Sequence, residues 1–276
     1  MRSVIGQTRI GKTFAAAGQT ASLILLVSAA GYLRALAADA PLKEMRTAEE
    51  IRRLSTQQAD RHFPVRLRGV VTFLDDRIPM KTFRFVQDET AGIYFYVGGA
   101  SNNPALRTGQ LVEIEGETGA GSFAPVVTTH HIRVLGETNL PPAKLVSYEE
   151  LASGLEDSQF VEIHGVVRAV WFDKQTSNYV IDLATGQGQL TMFATSLPVE
   201  PSGALVDCTV SAKGVCWSRF NSQRQLFDCG LLVPLPEDLV IEQPAPNDPQ
   251  TMPAQPIKSL PDSESRAFVP RSATLS

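Results

Sequence analysis

The sequence carries one pattern twice, and a duplication of this length leaves few folds open. Thr47, Ala48, Glu49, Glu50 and Ile51 begin the first copy; Ser147, Tyr148, Glu149, Glu150 and Leu151 begin the second. Each is a hydroxyl residue with a glutamate three places on, the signature of a capping box at a helix start. Each predicted helix leads into alternating apolar residues interrupted by glycine, Val65, Leu67, Gly69, Val71 and then Val161, Ile163, Gly165, Val167. The two glycines stand 96 residues apart. That period is too long for a solenoid repeat and suits a duplicated domain.

Within the first copy the alternation predicts strands at 65–74, 83–87, 93–97, 111–116 and 126–135. The second copy gives 160–172, 179–183, 189–194, 205–214 and 225–233 in the same order, with Val206, Cys208, Val210 and Ala212 inward on its fourth strand. Five short strands with little helix predict a small closed barrel. Glycine weakens a strand interior unless the backbone bends or bulges there. Gly69 and Gly165 therefore mark a corner in each long first strand, and a bent first strand shared by both halves of a barrel is what an OB-fold requires. Residues 106–116 also resemble the turn and fourth strand of OB-folds. The expected fold is mainly all-β: two tandem OB-like five-stranded barrels, each preceded by a short helix, at 45–143 and 144–243. Seven prolines break up residues 244–276, which read as an extended tail or linker.

The N-terminus has a different composition. Arg2, Arg9 and Lys12 precede a 13-residue apolar run from Ala21 to Leu33 and a small-x-small site at Ala35-Leu36-Ala37. This reads as a signal peptide over 1–37, and a membrane span needs roughly 20 apolar residues. The expectation is a periplasmic or secreted chain beginning at Ala38, with a retained N-terminal anchor as the lesser alternative; full-length protein in the cytosol would refute it. The whole chain carries 25 Lys+Arg against 29 Asp+Glu, and removing 1–37 takes four basic residues and no acidic ones, leaving about −8. Nucleic-acid affinity comes largely from neutralised phosphates, so this balance disfavours nucleic acid as a partner without excluding a local basic patch. The three cysteines all lie in the second copy. Cys208 reads as core, and Cys216 with Cys229 is the easier disulfide pair in an oxidising compartment.

The stretches FPVRLRGVV (63–71), FVQDETAGIY (85–94), FAPVV (123–127), EDSQFVE (156–162), GVC (214–216) and QPIKSL (255–260) resemble the exported sensor region of bacterial sensor histidine kinases. The resemblance spans about 41–260 and implies an input module for signal transduction, with no ligand assigned. The membrane helix, phosphoacceptor segment and ATP lid of such receptors have no counterpart in the sequence, so no kinase activity is expected of this chain.

Other chemistry is thin. Residues 6–13 match the P-loop expression but sit inside the export signal, without the strand and helix that the motif needs. His130 and His131 are adjacent and point to opposite faces of a strand, so no metal is expected. Glu113, Glu115 and Glu117 alternate along one strand and Arg66 and Arg68 along its neighbour. Cross-strand ion pairs explain both stripes economically, with a basic recognition face as the other reading. No catalytic set and no cofactor site is recognisable.

OB-folds bind ligands on strands 2 and 3 and on the loops joining strands 1–2 and 4–5. Tyr94 and Tyr96 point outward there, and Phe123 lies in the 4–5 loop of the first copy. In the second copy residues 217–224 read as that loop and bring Trp217, Arg219, Phe220 and Arg224 together. These seven are the candidate ligand-binding residues, although Trp217 and Phe220 could equally pack between the barrels. The face taken by Phe83 and Phe85 stays open. The leading expectation is a non-enzymatic exported module for ligand sensing or protein interaction, its partner a small ligand, saccharide or protein of the envelope. A single-stranded nucleic-acid-binding protein is the alternative.

Overall fold

The computed structural model describes residues 42–75, 83–97, 104–221, 223 and 225–246. The N-terminal segment read as an export signal, the P-loop look-alike within it, Arg224 and most of the proline-rich stretch lie outside them.

Two closed five-stranded barrels follow one another. The first is built from β1 (Pro64–Asp75), β2 (Phe83–Gln87), β3 (Gly92–Val97), β4 (Gln110–Gly119) and β5 (Val126–Glu137), in spatial order β1-β2-β3-β5-β4 with β4 closing on β1. The β3–β5 pair is parallel and the rest antiparallel, the OB arrangement. The second uses β7 (Phe160–Asp173), β8 (Asn178–Ala184), β9 (Gln189–Ala194), β10 (Thr209–Phe220) and β11 (Leu226–Val233) in the same order, closed by β10 on β7. Two strands are added to it: β6 (Lys144–Leu145) beside β7, and β12 (Leu239–Gln243) beside β10. Thus the fold expected from the duplication is the fold observed.

Alternation fills each barrel. Leu67, Val71, Ile93, Phe95, Val112 and Ile114 point into the first, and Ile163, Val167, Ile181, Leu183, Met192 and Val210 into the second. A short helix plugs each end: α1 (Ala48–Arg52) with Ile51, and α3 (Tyr148–Ala152) with Leu151, both side chains fully buried. Between α1 and β1 lies a further turn, α2 (Thr56–Ala59), opened by a capping box of Ser55 and Gln58. Ser147 and Glu150 form the expected reciprocal box. At Thr47 only half of it forms, because Glu50 Oε2 accepts the N–H of Arg46, one residue upstream of the cap.

The glycines mark where β1 and β7 pass from one neighbour to the next. Gly69 pairs with Val112 of β4 just before Val70 meets Gln87 of β2, and a Cβ there would lie 2.7 Å from the Gln87 carbonyl oxygen. Gly165 repeats this with Ala184 at 2.6 Å. The bulge itself falls three residues later in both copies, at Thr72 and Arg168.

Several boundaries differ from expectation. The fourth strand of the second barrel starts at Thr209, since Ser202–Leu205 forms a 3-10 turn, and it runs on through Phe220. β12 occupies residues that continue into the proline-rich stretch. Cys208, Cys216 and Cys229 are all buried and outside any disulfide, so Cys216 and Cys229, the easier pair by sequence, are not joined; Cys229 pairs in register with Ser218, not with Cys216. Arg66 pairs with Glu115 directly across the strands, while Glu113 is bonded at 2.7 Å by Arg133 of β5, not by Arg68. Among the described residues no helix is long and apolar enough to cross a membrane.

Candidate functional site: an aromatic cleft between the barrels

On β3 the period of two sends Ile93 and Phe95 into the barrel and Tyr94 and Tyr96 outward. On β2, Val86 points inward, which places Phe83 and Phe85 on the same outer face as the tyrosines. Phe85 meets Tyr94 edge to face at 5.2 Å, and Tyr94 meets Tyr96 at 4.7 Å. Tyr96 is 44% exposed, the open end of this row. Phe85 is only 4% exposed, because the second barrel covers it.

That cover comes from Phe160, Val215 and Leu232, which join Phe73 and Phe85 in an apolar cluster shared by the two barrels. Polar bonds edge the contact. Gln159 Oε1 accepts the Gly92 N–H at 3.0 Å, and Gln87 Oε1 accepts that of Phe160 at 2.8 Å. Gly92 is required here: a Cβ would lie 2.0 Å from the Ser158 carbonyl oxygen.

The sequence placed Trp217, Arg219 and Phe220 in a loop, and the structure places them on a strand. β10 stays paired with β11 as far as Phe220 opposite Leu226, which leaves only residues 221–225 to turn the chain. There Asn221 Oδ1 accepts the N–H groups of Gln223 and Gln225, each at 2.9 Å. A register shift between Arg219 and Phe220 breaks the alternation at the end of the strand. Trp217 packs on the junction cluster beside Phe193, ring centroids 5.6 Å apart, with its indole against the bare backbone of Gly230. Phe220 stacks flat on Phe123 of the first barrel, 3.4 Å between centroids. Both therefore pack between the barrels. Arg219 lines a second cavity together with Trp217, its guanidinium 5.0 Å over the Phe227 ring and 3.5 Å from Asp228.

Tyr94, Tyr96, Phe123, Trp217 and Phe220 nevertheless line one cleft of about 320 Å³ with Asp157 and Ser158 at its base. Burial pushes the Asp157 carboxyl up, against the pull of the nearby Arg52 charge and of hydrogen bonds from serine neighbours. Burial likewise lowers Arg52, which donates to the carbonyls of Gly92 at 3.3 Å and Leu155 at 3.4 Å. Burial also raises the Cys216 thiol, which disfavours its thiolate. Among the described residues no group of three His, Cys, Asp or Glu could hold a metal ion. The cleft offers flat apolar walls, hydroxyls and carbonyls, which suit a planar ring. Asp157 escaped the sequence reading because only the docking of the barrels brings it to the cleft, whereas the face of Phe83 and Phe85, open in the sequence, is set by Val86 pointing inward.

No family model matches the chain, and no curated protein matches it. Solved structures do. A structure described as a murine DNA binding protein bound with double-stranded DNA is 11% identical, covering 66% of this chain and 99% of that one, TM-score 0.30. The Ifi202 HINa domain in complex with 20bp double-stranded DNA is 8% identical over 67% and 97%, TM-score 0.29. The tetrameric p202 HIN2 is 12% identical over 61% and 86%, TM-score 0.29. These likenesses are loose, and nothing about individual residues is taken from them. The leading expectation of an exported sensor module is not carried forward: two of these three structures are described with bound DNA, and none as the input region of a receptor.

Proposed function

We propose that the chain is a non-catalytic binding module that takes single-stranded nucleic acid in the cleft between its barrels. The observation that carries this is the Tyr94–Tyr96 row, two adjoining rings on the OB recognition face of the first barrel, left accessible where the second barrel ends. Stacking on such rings is tolerant of base identity and requires an unpaired base, which favours a single strand over a duplex. Phe123 on Phe220 forms the opposite wall and holds the two barrels in register around it.

The acidic balance of the chain limits what phosphates can add. Arg219, near the cleft, is held by a contact over the Phe227 ring and by a half-exposed ion pair with Asp228 of a kind worth little, so a phosphate can take the place of Asp228. Binding is then dominated by stacking. In titrations of labelled single-stranded DNA and RNA, affinity should fall with salt along a shallow slope, about −0.7 for each phosphate neutralised and about −2 or less in all. Tyr96→Ala should weaken binding roughly 5- to 100-fold, the range set by one lost stacking contact, and leave thermal stability almost unchanged. Absence of binding at low salt, or full binding by Tyr96→Ala, would sink the proposal.

A further inference from the structure

β7 serves both halves of its barrel. From Phe160 to Val166 it pairs with β10 along one edge, and from Val166 to Asp173 it pairs with β8 along the other. The first edge is closed as far as Val167, whose carbonyl accepts the Asp207 N–H at 2.8 Å and whose N–H donates to the Cys208 carbonyl at 3.0 Å. Beyond that point no strand among the described residues lies on this edge. The open stretch is also apolar. Ala169, Val170, Trp171 and Phe172 include no charge and no proline, the devices that commonly keep an edge from pairing. Trp171 is 46% and Phe172 48% exposed.

The backbone groups of an antiparallel strand turn to its two edges in alternation. Val167 turns both of its groups to the open edge, and the bulge takes up Arg168. Ala169, opposite Asp182, and Trp171, opposite Val180, then direct theirs to β8, which leaves the N–H and carbonyl of Val170 and of Phe172 facing outward. Such an edge can pair antiparallel with its own copy. In the register that satisfies every one of these groups, Val170 of each copy lies opposite Phe172 of the other, and a two-fold axis passes between the two Trp171 side chains. The indoles then form a pair of the closer, non-hydrogen-bonded kind, where aromatic side chains reinforce a ladder. The flanks tolerate this register. Asp173 comes opposite Ala169, and Arg168, opposite Lys174, already has Asp207 at 3.1 Å as its counter-charge. The same place in the first barrel is an interface: Phe73 and Asp75, the counterparts of Ala169 and Trp171 past the bulge, lie at the barrel junction and are 2% and 5% exposed.

We propose that the partner of this edge is a second copy of the chain, paired through residues 169–172 into a two-fold dimer whose sheet runs through both second barrels. Pairing uses up the open edge on each copy, so assembly closes at the dimer. The contact is narrow, and the dimer is therefore weak and forms with rising concentration. None of this depends on what the cleft binds. Sedimentation of the intact chain without nucleic acid should show a monomer–dimer equilibrium. Trp171→Lys removes the aromatic pair and sets two ammonium groups against each other on the axis, so it should weaken dimerisation roughly tenfold or more. Leu155→Lys, at a side chain exposed elsewhere on the surface, should leave the equilibrium unchanged. A cysteine fixes the register, because the three native cysteines are buried. Trp171→Cys brings two thiols together at the axis within the reach of a disulfide and should give a covalent dimer on mild oxidation, whereas Ala169→Cys should not. A chain that stays monomeric up to about 1 mM, a dimer indifferent to Trp171→Lys, or cross-linking through Ala169→Cys in preference to Trp171→Cys would overturn the proposal.

Discussion

Asp238 sits on the 3-10 turn before β12, where burial, reinforced by the neighbouring Glu237 charge, pushes its carboxyl up to about 6 from an ordinary 3.8. Its Oδ2 is buried without a hydrogen-bond partner among the described residues. Because the folded chain holds this proton more tightly than the unfolded chain, the group favours folding below its unfolded value. That contribution is lost as pH rises through about 6, and above it the ionised group opposes folding. Asp238→Asn should therefore raise stability at neutral and alkaline pH and have little effect near pH 4, which denaturant unfolding at the two ends would show. A gain confined to low pH would mean the group is held charged in the folded state. Lys213, which pulls the other way, keeps the shift from being larger. Nothing in the local sequence Leu235-Pro236-Glu237-Asp238 announces this burial, since it arises only when β12 adds to β10.

At the scale of elements, strand interiors were legible and strand ends were not. Alternation such as Val65, Leu67 or Val161, Ile163 is imposed by one buried face, and a strand can hardly carry it for another reason. An end is set by how long the partner keeps pairing, and the partner is remote in sequence. Trp217 to Phe220 read as loop because aromatic, hydroxyl and guanidinium residues alternate there without an apolar face; Leu226 to Gly230 extend the ladder past them. β12 falls within the second copy but has no counterpart among the strands read from the sequence, because its five residues stand between prolines and come after the five strands that already close a barrel. The corner glycines were legible as corners, but their reason is close approach and the bulge lies beyond them. Gly69→Ala and Gly165→Ala should each destabilise by about 1–3 kcal/mol, the range for forcing an atom into occupied space. Both glycines meet backbone carbonyls at under 3.0 Å, so the strand itself must yield. Denaturant midpoints would measure this; a neutral Gly165→Ala would show that β8 can shift and that the two corners are not equivalent.

For the whole molecule, the duplication alone predicts two units that fold independently, yet the junction says they are coupled. Phe73 and Phe85 on one barrel and Phe160, Val215 and Leu232 on the other are each less than 5% exposed, and each owes part of that burial to the opposite barrel. Full burial of such side chains stabilises by about 1.5–3 kcal/mol each; with only part of the burial supplied across the junction, the five together contribute several kcal/mol at most. That is comparable to the net stability of a small domain. The stacked Phe123–Phe220 pair and the Arg52 bond to the Leu155 carbonyl add directional contacts at the rim. The intact chain should consequently unfold in one cooperative transition whose calorimetric and van't Hoff enthalpies agree. Fragments 42–143 and 144–246 expressed apart should be less stable than the intact chain, expose apolar surface that binds a hydrophobic dye, and lose that signal when mixed. Leu232→Ala should lower the midpoint of the single transition without splitting it, although Leu232 belongs to only one barrel. Two resolved transitions in the intact chain, with only the later half shifted by Leu232→Ala, would show that the junction is a contact between independent domains. A cleft between such domains could open without strain, and the base platform on Tyr94 and Tyr96 would then have to be read as one barrel's surface alone.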